Sequence, residues 1–370
     1  MIIHKTYKYK LYNNDSTKEL GRIIDISAWI YNHCISLHRR YYRMYKKFLD
    51  RNKLQKHITS LKQLNTYEKW NDVPSQSIQN ICDRIDLAYK AFYRNLKEGN
   101  KTSIPHFYKP SKYSSFTTKQ AGYKVLEGNK IKIAKREYSY WNSRDIPKDS
   151  NIKRLTVKRT LRGYYIYLVV EEEVNIQKQV TSGKSVGFDF SMEKFFVSSD
   201  KTCIRMPKYL KLNLDKLSEL SKKFDKLKGV RGSHKSLCKL YEKITNQRID
   251  FHWKLAHKLT NQYDFMFFEN LDFKSMFLEC QQGINDFGVR TFLSILSYVS
   301  KSKGKIIHFV DKWFPSTQLC SECGFKNIEL RDTKIKTWLC PNCGTHHNRD
   351  INAAINILRE GTSSLNISTI

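Results

Sequence analysis

Two Cys-x-x-Cys pairs, Cys320/Cys323 and Cys340/Cys343, stand 16 residues apart in PSTQLCSECGFKNIELRDTKIKTWLCPNCGTHHNRDINAAINIL, the stretch from Pro315 to Leu358. Each pair places two thiolates on one knuckle, and two knuckles close a tetrahedral zinc site. Two disulfides or four incidental thiols fit this spacing poorly. An apolar helix opening at Asp350 follows directly, so a zinc ribbon abuts a helix that begins with an acid. The rest of the chain has to account for that junction.

At 370 residues the chain exceeds the size at which one hydrophobic core stops growing, so two or three modules are expected. Lys plus Arg number 66 against 35 Asp plus Glu, a formal charge of +31 spread along the whole chain. Aromatics make up 13%, with 22 Tyr, too many for a solvated polycation. A packed, basic, aromatic-rich chain suits a polyanion held by extensive backbone contact, which points to nucleic acid. Solubility alone does not need so large a charge, and no basic amphipathic anchor argues for a membrane surface. Five cysteines outside the ribbon (Cys34, Cys82, Cys203, Cys238, Cys280) fall in apolar or helical settings and are expected to be buried free thiols in a reducing compartment. The start MIIHKTYKYKLYNND lacks a signal-peptide core, and no apolar run approaches a membrane span. The expectation is a cytoplasmic protein with no membrane partner.

Residues 2–12 alternate apolar and basic as a half-exposed strand does. Helices follow. Leu20, Ile23, Ile24, Ser27, Ile30, Tyr31 and Cys34 mark a helical face reaching about Phe48, whose later part, LHRRYYRMYKK, interleaves aromatic and basic residues. A solvated basic face is the plain reading. Phosphate contact, with Tyr41 and Tyr42 able to stack or donate, is the sharper one. Val73-Pro74-Ser75 opens another helix, with a buried stripe through Ile78, Ile81, Cys82, Ile85, Ala88, Tyr89 and Phe92. Gln76 and Gln79 near its start have amides able to reach bases or phosphates, although exposed Gln on a helix is common. From about Gly99 to Val174 short strands take over. Leu155–Lys158 pairs with Tyr164–Val170 across Leu161-Arg162-Gly163 as a hairpin, residues 1–12 add a strand to that sheet, and Gln177–Gly183 is a linker.

A new domain starts at Lys184. Asp189 lies inside the apolar strand Val186–Ser191, where a carboxylate costs several kcal/mol unless paired, protonated or metal-bound. Two more strands follow, and three consecutive strands with an Asp on the first is how RNase H-like folds begin. A hairpin-end Asp bonded to backbone is the competing reading. After helical stretches at about 212–230 and 234–262, the strand Asp264–Phe268 ends in Glu269-Asn270. An acid at the carboxyl end of a buried strand is where open α/β sheets place their sites. A helix at 286–302 and a strand at 305–310 precede the ribbon. Asp350 then begins the last helix, with Ile351, Ala354, Ile355 and Leu358 as its apolar face; Asp is also a favoured N-cap. Two strand-borne acids and one helix-borne acid in a very basic chain suit a two-metal phosphodiesterase, with hard oxygen ligands selecting Mg²⁺ or Mn²⁺. His346-His347-Asn348 suggests an HNH nuclease, but the chain ends too soon to supply that motif's remaining residues.

The series Gly187-Phe188-Asp189, Phe268-Glu269-Asn270-Leu271, Pro315-Ser-Thr-Gln-Leu-Cys-Ser-Glu-Cys-Gly and Asn348-Arg-Asp-Ile-Asn-Ala-Ala-Ile-Asn-Ile resembles TnpB, the insertion-sequence-encoded proteins regarded as ancestors of type V CRISPR effectors. Trp29-Ile-Tyr-Asn, Pro74-Ser-Gln-Ser-Ile-Gln and Ala88-Tyr-Lys-Ala-Phe match more loosely. The resemblance implies an RNA-guided endonuclease that cuts double-stranded DNA beside a short target-adjacent motif, in the prokaryotic cytoplasm at the nucleoid. It implies a multidomain α+β fold: a β-barrel wedge domain (1–12 plus 100–182), a helical recognition domain (13–99), a RuvC-like nuclease of RNase H fold (183–314 plus 345–370) and a zinc ribbon (315–344). Carried over, Asp189, Glu269 and Asp350 bind two catalytic Mg²⁺, while Cys320, Cys323, Cys340 and Cys343 hold structural zinc. The segment of Gln76 and Gln79 matches a region that contacts target-adjacent DNA. The partners implied are a guide RNA from the transposon end, bound by a monomer, and the target DNA, read by guide pairing. Phe190-Ser191 departs from the usual aliphatic-Gly of the first motif but leaves the acid in place. The alternatives are an RNA-guided DNA-binding repressor without cleavage and a zinc-ribbon RNA-binding protein.

Overall fold

The computed structural model describes residues 2–147, 150–173, 183–191, 193–226, 231–270, 287–332 and 334–366, in two compact units, Met1–Val174 and Asn175–Ile370. In the first, strand β1 (Ile2–Leu11) buries Ile3, Tyr7, Tyr9 and Leu11, the period-2 face its sequence announces. Its neighbours are β7 (Gly163–Glu173), antiparallel along nearly its whole length, and β5 (Arg136–Trp141) at its end. With β2 (Ser115–Thr118), β3 (Tyr123–Leu126), β4 (Lys130–Ile133) and β6 (Asn151–Thr160), they form a seven-stranded sheet in the order β2-β6-β7-β1-β5-β4-β3. The chain start therefore sits in the middle of the sheet, and the expected β6/β7 hairpin is present.

Helices α1 (Thr17–Tyr45), α2 (Arg51–Leu61) and α3 (Ser75–Lys97) interrupt this sheet between its first and second strands. Leu20, Ile24, Cys34, Cys82 and Ile85 join Tyr9, Leu155 and Ile166 in one continuous core. Helix α2 has no counterpart in the reading of the sequence. Only Leu54 and Ile58 are buried along it, too thin a stripe for a periodicity argument, and the side chain of Asp50 caps it by accepting from the Lys53 N–H (2.9 Å). Many tyrosines belong to the core or brace its edge, as Tyr7 does by donating to Glu172 (2.6 Å).

In the second unit, β8 (Ser185–Phe190), β9 (Phe195–Ser198) and β10 (Cys203–Arg205) form an antiparallel meander. Strand β11 (Phe265–Glu269) returns parallel to β8, and β12 (Ile306–Val310) parallel to β11, giving the order β10-β9-β8-β11-β12. Helices α4 (Leu214–Lys226) and α5 (Arg231–Gln262) make the long crossover; α6 (Val289–Ser302) precedes β12. One sheet face packs Val186, Phe188, Met266 and Phe268 against Leu255, Leu259, Phe292 and Leu296 of α5 and α6. The other packs Phe267 and Val310 against Ile357 of the last helix, α7 (Arg349–Ser364). Covering on both faces explains why β8 and β11 read as continuous apolar runs.

Gly187 shows how close α7 comes. A Cβ there would meet the Ala354 carbonyl oxygen at 2.2 Å and the Leu358 nitrogen at 2.6 Å, both backbone atoms that cannot swing away. Gly187→Ala is therefore expected to lose about 3 kcal/mol or more of stability, seen as a lowered midpoint in thermal or urea unfolding. A midpoint equal to wild type would show that α7 does not seat on β8.

Several expectations need correction. Only Cys34 and Cys82 of the scattered cysteines are buried; Cys238 is half-buried, Cys203 is exposed on β10, and Cys280 lies outside the described residues. The 177–182 linker also lies outside them. Of the apolar face expected for α7, only Ala354 is fully buried, whereas Asn352, Asn356, Ile357 and Gly361 are the deep residues. The helix is sandwiched, so its most buried side is partly polar. No described helix is long and apolar enough to cross a membrane.

Candidate metal centres

Side chains alternate along a strand, so Asp189 shares the α7 face of β8 with Gly187, and Glu269 shares that face of β11 with Phe267. The parallel register sets Phe268 beside Phe188, which brings Glu269 next to Asp189 at the carboxyl edge of the sheet. Asp350 arrives in the first turn of α7. The cap of that helix is Asn348, whose side chain accepts from the Ile351 N–H (3.2 Å). Asp350 is thus free of the N-cap duty that its residue type suggested.

Asp189 feels the other two acids. Burial pushes the Asp189 carboxyl well above its ordinary range, and the charges of Glu269 and Asp350 push it further, with Arg349 and Lys336 pulling back. Burial also raises Glu269. Buried like charges at a sheet edge call for a cation. Lys194 answers in part: its Nζ lies 3.3 Å from Asp350 Oδ2, with both side chains largely shielded. Nothing in the turn Glu193-Lys194 marks this lysine beforehand, since a lysine in a turn is ordinary.

The second centre is the ribbon. Sγ of Cys320 stands 3.7 Å from that of Cys343, and Cys323 is 3.6 Å from Cys340. Thiolates about 2.3 Å from one zinc lie about 3.8 Å apart in a tetrahedron, so the four residues fit that ion. The knuckles are built alike: Gly324 and Gly344, both at positive φ, donate to the carbonyls of Cys320 and Cys340 (2.9 Å each). Asn342 and the Phe325 backbone hold the Cys323 thiol down to about 6, favouring the thiolate a metal takes. His347 Nε2 lies 3.1 Å from Cys320 Sγ and its ring packs on Trp338, so this histidine braces the knuckle. Among the described residues, these thiols are the one set of three or more ligand atoms within 4.8 Å of one another.

Three polar residues join the centres. Arg349 donates to the carbonyls of Asp332 and Ile335, and its own N–H donates to that of Lys336. Asn352 accepts from the Ser321 N–H (2.8 Å) and donates to the Leu319 carbonyl (2.6 Å), and Asn356 donates to the carbonyls of Ser316 (2.8 Å) and Leu319 (2.7 Å). The helix that carries Asp350 thus holds the ribbon backbone through side chains at i, i+3 and i+7. The signal was present in the sequence: two Asn among the buried positions of an otherwise apolar helix.

The expected nucleic-acid residues lie in the first unit. Tyr42 is exposed and stacks on Phe48 (5.4 Å), while Tyr41 is half-buried. Arg39, from the same basic stretch, is committed to the fold, donating to the Pro105 carbonyl (2.8 Å). Gln76 is likewise engaged, its Oε1 accepting from the Ala121 N–H (3.0 Å), whereas Gln79 is exposed.

Comparison with known proteins agrees with the motifs. Residues 167–279 match the OrfB_IS605 "Probable transposase" family model, and residues 290–357 match the Cas12f1-like TNB domain. A Streptomyces pristinaespiralis protein named "Putative RNA-guided DNA endonuclease" is 23% identical over 98% of this chain and 90% of its own. Escherichia coli K12 "Putative RNA-guided DNA endonuclease InsQ" is 24% identical over 94% and 89%. The fold resembles Cas12f1 in a Cas12f1–sgRNA–target DNA complex, with a TM-score of 0.62 at 15% identity over 96% of this chain and 98% of that one. The chain has that multidomain α+β fold and a four-cysteine group able to hold zinc.

Proposed function

We propose that this TnpB-like chain is an RNA-guided DNA endonuclease, cutting double-stranded DNA beside a short target-adjacent motif. The observation that carries the reading is the convergence of Asp189, Glu269 and Asp350 on one edge of the five-stranded sheet. Two Mg²⁺ ions held there would supply an activated water and neutralise the leaving oxygen of an in-line displacement. Asp189, deepest of the three, is the shared ligand; Glu269 and Asp350 flank it from β11 and α7. Lys194 balances Asp350 until a cation or a phosphate arrives.

The strand order β10-β9-β8-β11-β12, with three antiparallel strands and then parallel ones, supports reading 183–314 plus 345–370 as a RuvC-like nuclease around a zinc ribbon at 315–344. The sheet of the first unit is read as the wedge domain, 1–12 plus 100–182, and its inserted helices, 13–99, as the recognition domain. A guide RNA from the transposon end would neutralise the +31 charge and read the target by pairing, one RNA to a monomer. Tyr42, exposed among basic residues, and Gln79, exposed on α3, are the residues of the first unit proposed to touch nucleic acid.

Sequencing the RNA that copurifies with the chain, then offering DNA complementary to its guide, tests this reading. Cleavage is expected only with the RNA and Mg²⁺, to stop in EDTA, and to return when Mg²⁺ is added back. Cleavage that persists in chelator, or without RNA, would sink it. Guided binding with no cutting would instead identify a DNA-binding repressor.

A further inference from the structure

Among the described residues, Trp313 is the most exposed large apolar side chain, at 80%. Scattered surface apolar residues are ordinary, but this indole stands on a backbone fixed by hydrogen bonds. The Trp313 backbone N–H donates to Asp311 Oδ1 (2.7 Å), the Phe314 N–H donates to the Asp311 carbonyl (3.1 Å), and the Phe314 ring packs against the core of Phe267, Val310 and Ile357. The backbone is thus locked on both sides of a ring that faces solvent. The Lys312 ammonium lies 4.5 Å from the ring centroid, coupling a positive charge to the aromatic face.

Its place in the fold gives this ring a task. Val310 pairs with Glu269 at the carboxyl edge of the sheet, and Trp313 follows three residues later. Three residues of chain reach at most about 11 Å, and paired strands lie about 4.8 Å apart. The Trp313 backbone is therefore within about 16 Å of that of Glu269, a span of a few nucleotides. A flat aromatic face with an attached cation is the chemistry that holds an unpaired base and its phosphate without regard to sequence.

We infer that Trp313, with Lys312, is a stacking platform for an unpaired base of the DNA strand entering the Asp189–Glu269–Asp350 centre. The inference rests on the nuclease reading above and adds a substrate-positioning residue to it. A protein partner would also cover an indole, but the lysine on the ring and the acids at the same edge favour a strand of DNA.

The test uses the guide-RNA complex of wild type, Trp313→Ala and Trp313→Phe, with target DNA carrying 2-aminopurine at successive positions beside the cut. Wild type and Trp313→Phe are expected to quench one position strongly, while Trp313→Ala leaves it bright. The apparent KM for DNA should rise about tenfold or more in Trp313→Ala and stay within about threefold of wild type in Trp313→Phe. The thermal midpoint should not move, since the ring is solvated. Equal quenching in Trp313→Ala and wild type, or no quenching in either, overturns the inference. Absence of cutting by wild type would count against the nuclease reading, while the quench, measured in chelator, still decides Trp313.

Discussion

Asp350→Ala is expected to reduce Mg²⁺-dependent cleavage by roughly a thousandfold or more, the loss typical when one member of a cooperating catalytic set is removed. Guide-directed DNA binding should stay within about threefold of wild type, because binding rests on pairing and many backbone contacts. Asn348 caps α7, so removing the Asp350 carboxylate leaves the helix start intact. It also removes one of the charges that push the Asp189 carboxyl upward, so the metal-free thermal midpoint should not fall. Asp350→Asn, which keeps the shape, should be as inactive as Asp350→Ala. Cleavage time courses beside mobility shifts check both halves; wild-type cutting by either variant would remove Asp350 from the centre.

Cys340→Ser should silence the same chemistry without touching an acid. The ribbon's own core is small: Cys320, Leu330, Trp338 and Cys340, with Ile335 against them. So few apolar contacts do not fold the ribbon, whereas structural zinc contributes about 10–16 kcal/mol in small zinc domains. With a ligand lost, the knuckle backbone that Asn352, Asn356 and Arg349 hold should come apart, and the start of α7 with it. Zinc per chain, by atomic emission, should fall from near one to near zero, and cleavage should drop about a hundredfold or more. Added Mg²⁺ should not restore it, which separates this loss from depletion of the catalytic centre. Full zinc content, or full activity without zinc, would show that the ribbon does not position Asp350.

Much of this arrangement is legible in the chain. The thiol spacing announces the ribbon, and Asp189 inside one apolar strand and Glu269 at the end of another stand out as candidates because a buried lone carboxylate is costly, although neither is decisive taken singly. Period-2 alternation marks β1, and the Leu161-Arg162-Gly163 turn marks the β6/β7 hairpin. Other features stay hidden for identifiable reasons. Helix α2 buries two residues, and Cys203 looks like a core thiol until the edge strand that carries it is placed. Helical periodicity counts apolar residues and so points to Ile351, Ile355 and Leu358, whereas the deep face of α7 includes the asparagines that grip the ribbon. Arg39 donates to a backbone carbonyl and the Gln76 side-chain oxygen accepts from a backbone N–H, contacts with distant segments that their residue types do not announce.

The amino-acid order alone determined which residue types are available for chemistry: four thiols at the spacing of a zinc ribbon, three acids beside apolar runs, and an excess of positive charge that suits a polyanion. Those signals are local, carried by spacing of a few residues and by what burial costs. Only the tertiary structure decided that Asp350 is not a helix cap, that Lys194 faces it across 156 residues of sequence, and that Asn352 and Asn356 tie the ribbon to the acid. Those facts depend on the register of β8 against β11 and on how closely a helix can approach Gly187. Contacts between distant segments are set by packing, which no short stretch of sequence contains.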